Sequence, residues 1–192
     1  MAKVSLEDHS GPWTEEEFLA LDESSYRVEL LEGGLWVSPG PNSPHQQMIG
    51  RLTAAFLPAA DEAAIWVMSD MNTRLEPGTV MRPDLVLARG PRVATVVDAS
   101  DVLLAVEITS PSNVTSDRVL KMQLYAQAKI KWYLLVEPDM TTYESVTLRL
   151  FRLGAGGYDT YAVAEGDENL TLDEPFPLTI NAQGLLGIHK RV

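Results

Sequence analysis

The chain has 192 residues, 45% hydrophobic and 22% charged, with no cysteine and a formal net charge of -12. That composition suits a globular domain with a sizeable core and excludes a disordered polypeptide, a disulfide-stapled fold and a thiolate metal centre. The acidic balance argues against a broad basic face for gripping phosphates, but it is uneven. Acids crowd the two ends, whereas the middle carries Arg51, Arg74, Arg82, Arg89, Lys121 and Lys131, which leaves room for a local positive groove.

Residues 1–12 read as a loose lead-in without the apolar core of a secretory leader, and no apolar run is long enough to span a bilayer. The expectation is one domain over residues 1–192, cytoplasmic and without membrane association. Thr14 with Glu17 forms a capping box that opens a short helix. YRVELLEGGLWVSP reads as a hairpin turning at Glu32-Gly33-Gly34, and Asn42 or Ser43 caps a helix with Pro44 in its first turn. Short strands follow in AIWVMSD, NTRLEPG and TVMRPDLVLAR, then DVLLAVEIT, which is apolar on both faces as a central strand should be. SPSNVTSD is turn chemistry leading into a helix from about Thr115 to Ala128. WYLLVEP is the next strand, SVTLRLFRL and YDTYAVA make a hairpin about GAGG, and the acidic tail ends with PLTI and a helical turn near Gln183. This is an α/β pattern with a mixed sheet. Met48, Trp66, Met68, Met122, Trp132 and Tyr133 fall at core positions.

Two of these apolar strands each contain a single carboxylate, Asp84 in RPDLVLA and Glu107 in LLAVEIT. A buried carboxylate is costly unless it is paired, hydrogen-bonded or bound to a cation. Two of them aimed at one place repel, and hard oxygen donors of this kind suit Mg²⁺ or Mn²⁺ between them. The alternative is a pair of structural ion pairs with Arg82 or Arg89. On the following helix Leu120, Leu124 and Ala128 form the expected buried stripe, and Asp117, Lys121 and Tyr125 follow its edge at i, i+4, i+8. Lys121 then leans toward the sheet, unless Asp117 and Lys121 form an exposed pair worth about 0.3–0.5 kcal/mol. His45, near a helix start, reads as a capping or packing residue or as a member of the site.

RPDLVL, VEITSPSN and DRVLKMQLYAQAKIKWYLLVEP, taken in order, resemble the Uma-type family of restriction-endonuclease-like proteins in the PD-(D/E)XK nuclease superfamily. YRVELLEGGLWVSPGPNSPHQ is similar to that family's Glu-containing hairpin, Ser-Pro loop and His. The resemblance implies a restriction-endonuclease-like fold, a mixed core sheet of about four strands flanked by helices, with N- and C-terminal β-hairpins added. It implies that Asp84 and Glu107 are catalytic metal ligands, with Ile108 lending its backbone carbonyl. Thr109 stands where the superfamily pattern has lysine, and Lys121 looks like that lysine relocated to the helix. Glu29 resembles an additional upstream acid, while Asp117 and Tyr125 would support Lys121.

The implied activity is Mg²⁺- or Mn²⁺-dependent hydrolysis of phosphodiester bonds in nucleic acid, DNA before RNA, by a homodimer. A non-catalytic interaction module on the same fold, or a metal-dependent hydrolase of a small phosphorylated substrate, would also tolerate the acidic surface.

Overall fold

A computed structural model of the protein describes residues 9–21, 26–90, 93–110 and 116–187, with backbone alone for 116–118. In chain order the elements are α1 (Glu15–Leu19), β1 (Arg27–Leu31), β2 (Gly34–Ser38), α2 (Ser43–Glu62), β3 (Trp66–Ser69), β4 (Asn72–Glu76), β5 (Thr79–Met81), β6 (Leu85–Ala88), β7 (Val96–Asp98) and β8 (Val102–Ile108). After a stretch of wide π-type turns at Ser116–Lys121 come α3 (Met122–Gln127), β9 (Trp132–Pro138), β10 (Val146–Gly154), β11 (Gly157–Glu165), β12 (Asn169–Leu172) and β13 (Leu178–Asn181).

The strands form a six-stranded sheet in the order β11-β10-β9-β8-β6-β3, a five-stranded sheet β2-β1-β5-β4-β7, and the β12-β13 pair. The larger sheet is mixed, with β8 and β9 parallel and its other pairs antiparallel. It is wider than the expected core because the β10–β11 hairpin extends one edge and β3 the other. Strand β12 was not foreseen from the acidic tail.

TVMRPDLVLAR, expected as one strand, is split. β5 ends at Met81 in the smaller sheet and β6 begins at Leu85 in the larger one. Pro83 has no N–H to give a ladder, so the chain leaves one sheet and joins the other there. Asp84 is delivered at that crossing.

Leu85 opposes Val106, so Asp84 and Glu107 both lie one residue beyond that pair, at the same end of adjacent strands. On one face of the large sheet, Leu104, Val106 and Ile108 pack with Met48, Leu52 and Phe56 of α2. On the other, Val86, Ala105, Tyr133 and Leu135 pack with Tyr125 of α3 and Met81 of the small sheet.

The β1–β2 turn has positive φ at Glu32 (50°) and Gly33 (81°), the backbone of a tight two-residue hairpin, which explains the glycine. With strand period two, Arg27 and Glu29 share a face of β1. Asn42 caps α2, its Oδ1 accepting the His45 N–H at 3.1 Å. Asn42→Ala should therefore cost about 1 kcal/mol of stability in urea denaturation.

Two core expectations are corrected. Trp66 is 45% exposed, because β3 is an edge strand. In the helix, Lys121 and Tyr125 are buried while Leu120, Leu124 and Ala128 are only half-buried. Lys121 and Tyr125 both reach Glu107 on the sheet, so the face expected at the stripe's edge is the one turned inward.

Candidate active site

Asp84, Glu107, Lys121, Tyr125, Glu29 and His45 converge at one end of the large sheet, and all are buried. Each strand acid has one oxygen held by groups of the large sheet and the helices that cover it. Asp84 Oδ2 accepts the Ile108 backbone N–H at 2.7 Å and lies 3.1 Å from His45 Nε2. Glu107 Oε1 accepts from Lys121 Nζ at 3.0 Å and from the Tyr125 hydroxyl at 2.5 Å. Lys121 Nζ also lies 3.1 Å from Glu29 Oε1, and that oxygen takes the Arg82 backbone N–H at 2.7 Å.

The two remaining oxygens face a cation that sequence reasoning did not assign to the site. Arg27 Nη1 is 2.5 Å from Asp84 Oδ1, and Nη2 is 3.8 Å from Glu107 Oε2. The second contact is an ion pair without a hydrogen bond, for Glu107 Oε2 is buried and accepts none among the described residues. The alternative partner Arg82 instead pairs through its side chain with Asp70. Arg27 was legible only as a polar residue alternating with apolar ones in the hairpin. Its spacing two residues from Glu29 was the available signal, and its reach across to β6 and β8 was not.

Electrostatics separate the two acids. Burial alone would raise the Asp84 carboxyl, but Arg27 and the His45 hydrogen bond outweigh it and hold Asp84 below the usual carboxylate range. At Glu107 burial dominates and pushes the carboxyl up, with Lys121 opposing and Asp84 adding to the rise. Burial and the Glu107 charge raise the Tyr125 hydroxyl, which stays a donor. The exposed Asp117–Lys121 pair is excluded on the lysine's side, since Lys121 is 3% exposed. The Asp117 side chain lies outside the described residues.

A cleft of about 210 Å³ opens beside this cluster, its wall including Arg27, Gln46, Asp70, Arg82 and Asp84. Glu107 and Lys121 do not line it.

A profile of the Uma2 family, described as putative restriction endonuclease, matches residues 15–183. The chain belongs to the Uma2 family. No curated protein matches it by sequence. Among solved structures, a putative nuclease of DUF820 from Anabaena variabilis is similar at 18% identity and a TM-score of 0.70, over 92% of this chain and 98% of that one. At that identity the likeness concerns the fold alone.

For a Uma2-family chain the question is whether these residues fit a divalent metal. Among the described residues no three His, Asp or Glu side chains converge as metal ligands. Glu29 is tied to Lys121 and Arg82, which leaves two carboxylates. Asp84 Oδ1 and Glu107 Oε2 already face one shared cation position, and Mg²⁺ is commonly held by one or two carboxylates while keeping several waters. The donor set fits such an ion, with the Ile108 backbone beside Asp84.

Proposed function

We propose that this Uma2-family protein is a metal-dependent endonuclease that hydrolyses phosphodiester bonds, with DNA as substrate. The observation that carries the reading is the buried Lys121 ammonium, bridging Glu107 and Glu29 at the strand ends that also present Asp84. Asp84, Glu107 and the Ile108 carbonyl would hold Mg²⁺ or Mn²⁺, which when bound supplies a Lewis acid and an activated water.

The chain's own residues do the rest. His45 and the Ile108 N–H fix one oxygen of Asp84, and Tyr125 and Lys121 fix one oxygen of Glu107, so the other oxygen of each is kept toward the cation position they share. Lys121 sets a positive charge against the negative charge that builds on the phosphoryl oxygens, and Glu29 keeps it in place. Asp117 is assigned the same supporting role. Cutting both strands of a duplex suits a two-fold homodimer, which light scattering of the purified protein checks. Among the described residues no helix is long and apolar enough to cross a membrane.

Purified protein with Mg²⁺ or Mn²⁺ should cleave plasmid and oligonucleotide DNA, slowly and fastest at low salt, because a net charge of -12 weakens duplex binding. Asp84→Ala, purified identically, should lose both cleavage and metal binding. Equal cleavage by the two proteins would mean a contaminating nuclease. Metal binding without cleavage of duplex, single strand or RNA would favour a hydrolase of small phosphorylated substrates, and the loss of both would favour a non-catalytic module.

A further inference from the structure

Arg27 stands where the proposed metal would have to be. Its guanidinium is the cation shared by Asp84 Oδ1 and Glu107 Oε2, through Nη1 at 2.5 Å and Nη2 at 3.8 Å. The contact to Asp84 is a close hydrogen bond, and the one to Glu107 is not. Arg27 borders the cleft and also faces the inner acid. The cleft wall includes Arg27 and Asp84, whereas Glu107 is 0% exposed and does not line it.

The charges explain why a cation is held there. Among the described residues, Glu29, Asp84 and Glu107 are buried together, and Lys121 is placed between Glu29 and Glu107. Asp84 needs a second cation, since removing one partner from a buried ion pair leaves an uncompensated charge. A second carboxylate is within reach of the guanidinium on the cleft side, Asp70 Oδ1 at 4.0 Å from Arg27 Nε. Arg82 pairs with the other oxygen of Asp70, Oδ2, so Oδ1 is the one that faces Arg27.

We propose that Arg27 is a displaceable counter-cation: its guanidinium fills the position between Asp84 and Glu107, and a divalent metal binds only by moving it toward Asp70. This rests on the metal-dependent reading above. Arg27 is thus a positioning residue that keeps the metal-free site folded and sets the concentration at which metal loads. Because the guanidinium must leave as the ion arrives, its removal lowers the stability of the metal-free protein and tightens metal binding. A merely structural arginine would lower stability and leave metal affinity equal or weaker.

The test is a Mn²⁺ titration, followed by loss of the free-ion electron paramagnetic resonance signal and by calorimetry. Binding absent from Asp84→Asn defines the site against adventitious binding at the acidic surface. Arg27→Met should bind Mn²⁺ at least about tenfold more tightly than wild type, because the competing cation is gone. It should melt at a lower temperature without metal and show the larger metal-induced rise. Arg82→Met removes the same charge from the same cleft without touching Asp84 or Glu107, and should change affinity far less. If Arg27→Met does not fold, Arg27→Lys takes its place, since it lacks the planar fork that presents Nη1 to Asp84 and Nη2 to Glu107 and should give a smaller gain of the same sign. Wild-type binding with no gain in the Arg27 variants, or an equal gain in Arg82→Met, overturns the displacement and leaves the metal site standing. No Asp84-dependent binding in any of the proteins overturns the metal reading, and the inference falls with it.

Discussion

Lys121→Ala should lower the rate of DNA cleavage by roughly 10²–10³-fold while leaving Mn²⁺ affinity within a few-fold of wild type, the range typical of removing one preorganised electrostatic contact from a transition state. An ammonium is not a metal ligand, and Asp84 and Glu107 remain. The variant also leaves Glu29 and Glu107, both buried and both facing Nζ at 3.1 and 3.0 Å, without their common partner. Stripping one side from a buried ion pair typically costs about 3–5 kcal/mol, so the metal-free variant should melt well below wild type. Added Mn²⁺ should recover part of that loss, because a cation at Asp84 and Glu107 offsets some of the exposed charge. Single-turnover cleavage at saturating Mn²⁺, beside melting curves with and without metal, separates the two effects. Full activity in Lys121→Ala would sink the assignment of Lys121 to the reaction.

Phe56→Ala should destabilise the scaffold by about 3–5 kcal/mol in urea denaturation, the range for a buried aromatic deleted from a packed core. Phe56 is 0% exposed and packs with Leu52, Leu104 and Leu134 in the cluster between α2 and the large sheet. The ring is three turns along the helix from His45, so loss of packing there also loosens the helix that carries the imidazole to Asp84. The cavity cannot collapse easily, because the facing strands are held in register on both sides by β6 and β9. A loss below about 1 kcal/mol would mean that α2 repacks and that His45 is not positioned by this contact.

The sequence determined the elements whose patterns are local. Alternation about Glu32-Gly33 made β1–β2 legible, the capping box made α1 legible, and the apolar run that contains Glu107 read correctly as a central strand. It also singled out Asp84 and Glu107, because a carboxylate in an apolar strand is costly and so demands a partner. The partners themselves were decided by tertiary structure.

Pro83 made the chain change sheets at Asp84, which no periodicity in TVMRPDLVLAR reveals. Contact with Glu107 puts Lys121 and Tyr125 at the centre of the buried face, against the α-helical stripe of Leu120, Leu124 and Ala128. His45 could be read as a helix-capping residue from its neighbours, but its contact with Asp84 spans 39 positions. Arg27 reaches Asp84 across 57 positions, between sheets that share no strand. Spacing along a chain reports only the near neighbours of a residue, and the cation that compensates a buried acid is chosen by whichever distant segment the packed sheets bring within about 4 Å.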